Sequence, residues 1–126
     1  MTKRNLFLLG VLILAQLVYA SNWDDTKAQA KQENKLILLK FSGSDWCGPC
    51  IQLQKVIFDD PVFEQFAHDK LVLFKADFPR LKKNQLPKEQ QAINDQLAET
   101  YNPEGEFPCM VLIDAQGNTL RKWHGY

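Results

Sequence analysis

The stretch that most constrains the fold is Leu36-Ile37-Leu38-Leu39-Lys40-Phe41, apolar at every position but one. It is too short for an ordinary helix and the right length for a strand. Because it does not alternate, the strand must be buried on both faces, as in a parallel sheet covered on each side. A loop follows, Ser42-Gly43-Ser44-Asp45, and then Trp46-Cys47-Gly48-Pro49-Cys50. Proline suits the first helical turn, so a helix is expected from Gly48 or Pro49. Ile51, Leu53, Val56, Ile57 and Phe58 would form its apolar side. The paired cysteines therefore sit where a buried strand hands over to a helix, the sheet edge at which α/β folds build their sites.

The rest of the chain supplies the layers. Asn22 or Asp24 can cap a helix reaching about Asn34. Asp60-Pro61 marks a break, after which Val62, Phe63 and Phe66 lie on a short helix ending near Asp69. Residues 71–76 read as a second strand. Residues 78–87, with Arg80, Lys82 and Lys83, read as a solvated polar loop. Residues 87–101 form a helix, with Ala92, Ile93, Leu97 and Tyr101 on one side. Pro108 precedes a third strand, residues 109–113. Residues 115–118 make a hairpin turn, and residues 119–124 return as a fourth strand. Helix, strand, helix, strand, helix, strand, strand describes a mixed α/β sheet flanked by helices.

The 126 residues argue for a single domain. Lys3 and Arg4, the apolar run 6–18 and the small residues Val18 and Ala20 have the form of a secretory signal peptide ending at Ala20. The apolar run is shorter than the roughly 20 residues of a membrane span. The expected division is a signal peptide over 1–20 and one domain over 21–126. Uncleaved, the same segment would act as an anchor. Its removal takes two basic residues from a balance of 15 basic and 15 acidic, leaving 13 against 15. A charge of −2 offers nucleic acid no electrostatic footprint. Three cysteines is an odd count, so at least one thiol lies outside any internal pair. An exported setting is one in which disulfides form and persist.

Disulfide exchange needs a thiolate to attack a sulfur and a second thiol to release the mixed disulfide. Two intervening residues at a helix start let both thiols share one turn. Cys47 would lie at the N-terminus, where free N–H groups and the dipole favour a thiolate. Cys50, one turn in, suits the resolving role, and Trp46 would cover one side. Two other readings stay open. One is half of a zinc site, although Cys109, His68 and His124 form no second paired motif to complete a tetrahedral set. The other is an inert bridge, although so short a loop constrains the unfolded chain little.

Trp46-Cys47-Gly48-Pro49-Cys50, after an apolar strand, resembles the active site of the thioredoxin superfamily. Phe107-Pro108, before the strand 109–113, sits where thioredoxins carry their cis-proline. Residues 41–47 together with 56–62 are similar to an exported bacterial thioredoxin-like subgroup and to the C-terminal reductase domain of the DsbD-type electron transporter. The likeness spans residues 22–126. It implies a thioredoxin-like fold and a disulfide reductase working through a redox-active Cys47–Cys50 pair, with no other cofactor and no metal. It makes Cys47 the nucleophile, Cys50 the resolving thiol and Pro108 the wall of a substrate groove. Gly48, Pro49 and Phe107 would support that groove. The implied setting is the periplasm or outside the cell. The implied partners are oxidised exported proteins and a membrane thiol electron donor. An oxidase or isomerase on the same fold, a binding module and a metal carrier remain as alternatives.

The chain departs from the family in three places. Thioredoxins carry a buried carboxylate on the strand before the site, able to take the resolving thiol's proton. The matching positions here are Lys40 and Phe41. The DsbD-type domain has a glutamate where this chain has Gln54, and Asp45 is expected to be exposed in its loop. Lys40 is read as a strand-end lysine that snorkels to water, the alternative being an ammonium close enough to lower a thiol pKa. Cys109 follows the proline where a threonine or other small residue is usual. Packing as a small apolar residue is the preferred reading; an accessory thiol or a metal ligand is the other. Phe107 is bulkier than usual and would narrow the groove. Finally, no C-terminal helix is expected after the last strand, which means either a truncated chain or a sheet face left partly open. His68 and His124 read as ordinary surface histidines.

Overall fold

The computed structural model describes residues 22–126; the expected signal segment 1–20 lies outside the described residues. Helix α1 spans Trp23–Glu33, where the Asn22 side chain accepts the Asp24 amide and Asp24 and Asp25 face the positive helix end. Asn34 ends it in the left-handed conformation, with φ 52°. Strand β1 is Leu36–Ser42, α2 is Gly48–Leu53 and α3 is Pro61–Lys70. Strand β2 is Leu71–Asp77, α4 is Lys88–Tyr101, β3 is Cys109–Ile113 and β4 is Thr119–His124. The sheet order is β2-β1-β3-β4. Strand β1 pairs parallel with β2 and antiparallel with β3, and β3 pairs antiparallel with β4.

The central place of β1 explains its unbroken apolar run. Ile37, Leu39 and Phe41 face a core with Val72, Phe74, Ala76, Val111 and Ile113, roofed by Ala30 of α1 and Leu97 of α4. Leu38 faces the other way, against Leu53 and Phe58. Both faces are therefore dry, and the strand cannot alternate.

The helix after the cysteines corrects its expected apolar side. Only Leu53 and Phe58 are buried, whereas Ile51 is 38 % and Val56 45 % exposed. The cause is a π-helical segment over Gln54–Phe58, closed by the Asp59 amide donating to the Gln54 carbonyl. One added residue per turn re-phases the helix, so positions five apart, not four, share the core face. On α3, Asp60 caps the start through the amides of Val62 and Phe63. Phe63 packs on Phe58 with ring centres 5.0 Å apart, while Val62 is 79 % exposed.

Residues 80–85 are exposed, as expected of a solvated loop, and the segment is nevertheless anchored. Residues 82–84 form a 3₁₀ turn, and the segment is tied to the cysteine loop through Phe78, Arg80, Leu81 and Asn84. A bulge between Leu112 and Ile113 in the β3–β4 pairing was not legible. The turn after β3 is closed by Asp114, which accepts the amides of Gln116 and Asn118. Strand β4 is the last element among the described residues and leaves Leu120 and Trp123 exposed. No helix among the described residues is long and apolar enough to cross a membrane.

Candidate active site

Strand β1 ends at Ser42, and the chain turns sharply at Gly43, whose carbonyl accepts the amides of Trp46 and Cys47. That turn places Cys47 at the N-cap of α2, with Gly48 and Pro49 opening the helix. The Cys47 sulfur accepts the Cys50 amide at 3.3 Å, so an N-terminal donor of the helix points at the sulfur. Such a position stabilises a thiolate more than a thiol. The two sulfurs are joined in a disulfide, with Cα atoms 5.2 Å apart. Both cysteines are buried in this state.

An aromatic wall stands beside the pair. The Trp46 ring lies 5.3 Å from that of Phe107, and Phe107 lies 5.5 Å from Phe78. Trp46 Nε1 donates to the Phe78 carbonyl at 2.7 Å. Arg80 stacks its guanidinium 3.7 Å over the Trp46 ring. Gly43 is required here because a Cβ would lie 2.6 Å from Trp46 Nε1. The Phe107–Pro108 peptide bond is cis. Pro108 is fully buried, and its carbonyl accepts the Gly125 amide. The turn before it is held by buried Asn102, which donates to the Glu106 carbonyl and accepts the Glu106 amide. The structure thus brings Trp46, Phe107 and the Cys47–Cys50 loop together.

Cys109 lies in the apolar core against which Phe78 and Phe107 pack. It is 0 % exposed, and burial pushes its thiol pKa up. It packs as a small apolar side chain. His124 pairs with Glu106, and His68 lies exposed beside Asp69.

Sequence reasoning misplaced one side chain, Lys40, and did not find the partners of another, Asp45. Asp45 lies in its loop as expected but is bonded there. It accepts the amides of Arg80 at 2.9 Å and Leu81 at 3.0 Å, together with Asn84 Nδ2. Those donors, the Arg80 amide foremost, hold its carboxyl below the usual range. Its neighbour Ser44 bonds Asp77 at the end of β2 through both amide and hydroxyl. Lys40 does not snorkel to water. It is 6 % exposed, because β1 continues to Ser42 and the π-helical segment covers it. Its Nζ donates to Gln54 Oε1 and lies 3.9 Å from the Phe58 ring centre. The signal for Lys40 was present in the sequence as a lone charge inside an otherwise apolar central strand.

A thioredoxin-like family model matches residues 18–115, a span containing Cys47, Cys50 and Pro108. The disulfide bond reductase DsbH of Chlamydia pneumoniae is 42 % identical over 93 residues, which are 74 % of this chain and 54 % of that protein. The thioredoxin-related protein DsbJ of the same organism is 27 % identical over 98 residues, 77 % of this chain and 27 % of that one. The chain thus spans about half or less of the curated relatives it matches. A solved structure titled DsbH oxidoreductase superposes with TM-score 0.75 at 35 % identity, covering 86 % of this chain and 73 % of that one. A disulphide isomerase from Xylella fastidiosa shares the fold, with TM-score 0.61 and 20 % identity over 88 % of this chain and 79 % of that one. With its mixed sheet, its Cys47–Cys50 pair at a helix start and a family match over most of its length, this chain belongs to the thioredoxin-like family.

Proposed function

We propose that the chain is an exported thiol–disulfide oxidoreductase acting as a disulfide reductase. The observation that carries the reading is the Cys47 sulfur at the N-cap of α2, accepting the Cys50 amide. In the reduced protein that amide and the helix dipole favour the Cys47 thiolate. The thiolate attacks one sulfur of an oxidised protein and the other sulfur leaves as a thiolate that takes a proton from water. Cys50 then loses its proton and attacks the Cys47 sulfur. The second substrate thiol departs, and the Cys47–Cys50 disulfide remains. Two electrons pass to the substrate, and no cofactor beyond the cysteine pair is needed.

The Gly48-Pro49 pair, which resembles that of thioredoxin, and the name of the reductase relative support the reducing direction. The signal-like residues 1–20 support export to the periplasm or beyond. The partners are then oxidised exported proteins, with electrons supplied by a membrane thiol donor and no role for nucleic acid. The deciding measurement is the reduction potential of the Cys47–Cys50 couple against glutathione. A value near the roughly −270 mV of thioredoxin supports a reductase, and one near the roughly −120 mV of DsbA overturns that direction. Insulin reduction with a thiol donor tests the reaction class. It should be faster with the protein than without it, and Cys47→Ser should remove the gain.

A further inference from the structure

The sheet face beneath α2 holds an ionisable group that the exchange steps above do not use. Lys40 is buried in the central strand, under the Phe58 ring, and its Nζ donates to Gln54 Oε1. The other end of the same amide, Gln54 Nε2, donates to Asp59 Oδ1 at 2.7 Å. Gln54 is one helical turn beyond Cys50, and its own amide donates to the Cys50 carbonyl. Cys50, Gln54 and Asp59 line one cleft of about 190 Å³, with Ser42, Ser44 and Lys75. A buried cation is therefore joined, through one side-chain amide, to the wall of the cleft on which the resolving cysteine opens.

We propose that Lys40 is a positioning residue for the resolving step, its buried ammonium favouring the Cys50 thiolate through the Gln54-lined cleft. The proposal rests on the dithiol reading above. A positive charge held in a poorly solvated site acts more strongly on a neighbouring thiol than one in water. Lys40 keeps its own proton throughout. The Cys50 proton leaves to water in the cleft, and the new thiolate attacks the Cys47 sulfur. The bond between Cys47 and the substrate breaks, and the leaving substrate sulfur takes up a proton. The family's usual device is a carboxylate that accepts the proton. Here a cation would stabilise the anion left behind.

Several charges face Lys40. Lys75 and Asp77 come from β2, Asp59 from the end of the π-helical segment, and Glu64 from α3. Burial, with Lys75 adding repulsion and Asp59 and Asp77 opposing it, lowers the Lys40 pKa to about 8. The ammonium is thus largely present at pH 7 and largely gone by pH 9.

The test uses the full chain in a Cys47→Ser background, which leaves Cys50 unpaired. The rate of iodoacetamide alkylation at Cys50 is followed against pH by mass spectrometry, so that Cys109 is scored separately. Lys40→Met should raise the Cys50 pKa by about one unit, which is about tenfold less thiolate at neutral pH. Lys40→Arg, which keeps the charge, should restore the parent curve. If Lys40→Met fails to fold, Lys40→Gln, which offers Gln54 a neutral partner, replaces it with the same expectation. A neutral variant that titrates with the parent, or an arginine variant that titrates with the neutral one, overturns the proposal. Insulin reduction by the unmodified protein separates the two claims: it persists if only the Lys40 role fails, and is absent if the dithiol reading itself fails.

Discussion

The Asp45 carboxylate accepts the backbone amide of Arg80 at 2.9 Å, across 35 positions of sequence. This bond and those from Leu81 and Asn84 fasten residues 78–87 to the cysteine loop. The same segment lays Arg80 over Trp46 and offers the Phe78 carbonyl to Trp46 Nε1. One loop carboxylate therefore holds the strap that sets the indole beside the disulfide.

Replacing that carboxylate should loosen the strap. Asp45→Ala should lower the melting temperature by a few degrees at pH 7. The native carboxyl titrates below its unfolded value, so its contribution is full above the unfolded pKa and is lost as pH falls through the lower native one. Wild type and Asp45→Ala should therefore converge in stability on acidification below about pH 4. Melting curves at pH 7 and pH 2.5 check this; a gap that persists unchanged at pH 2.5 would contradict it.

Gly43 leaves room for Trp46, and a Cβ there would collide with the indole. Gly43→Ala should push the ring off Phe107 and break the bond to the Phe78 carbonyl. A displacement of that size beside reacting groups costs roughly ten- to a hundredfold in rate. The insulin-reduction kcat/KM is expected to drop by that factor. A variant with wild-type kcat/KM would show that the Trp46 position does not matter to exchange.

Lys40 should leave a mark on stability as well as on thiol chemistry. Its native pKa of about 8 lies below the roughly 10.4 of an unfolded lysine. Between those values the unfolded chain binds more protons, so stability rises with pH across that window and is flat on either side. Wild type should gain on the order of 2–3 kcal/mol relative to Lys40→Met between pH 7 and pH 10.5. Urea midpoints at those two pH values measure the difference, and equal differences at both would place the Lys40 pKa outside this range.

Cys109 should be chemically silent while the fold is intact. The oxidised native protein should show no thiol reactive toward Ellman's reagent within minutes. Unfolding in guanidinium should expose one per chain, since the other two cysteines are joined. Cys109→Ser places a hydroxyl in the apolar core and should cost about 1–3 kcal/mol. Rapid labelling of the native oxidised protein would show that Cys109 is reached from the site.

The fold was legible where local pattern decides it. The unbroken run 36–41 marked the central strand, since only a strand covered on both faces tolerates apolar residues at successive positions. Pro49 marked the helix start and Asp60-Pro61 the break. The side of α2 that would be buried was misjudged at Ile51 and Val56. A π turn is imposed by packing Phe58 with Leu53 and has no period of its own to read.

Local chemistry likewise placed Cys47 at a helix N-terminus and Cys50 one turn beyond, because both positions follow from the spacing and from Pro49. Tertiary structure alone decided what becomes of the charges around them. Lys40 is buried because β1 runs through the middle of the sheet and a helix segment lies over it, and its partner Gln54 is 14 residues away. Asp45 finds its donors 35 to 39 residues on. Periodicity and turn chemistry act over a few residues, whereas the charge state of a side chain depends on which distant groups the sheet register brings within reach and keeps dry.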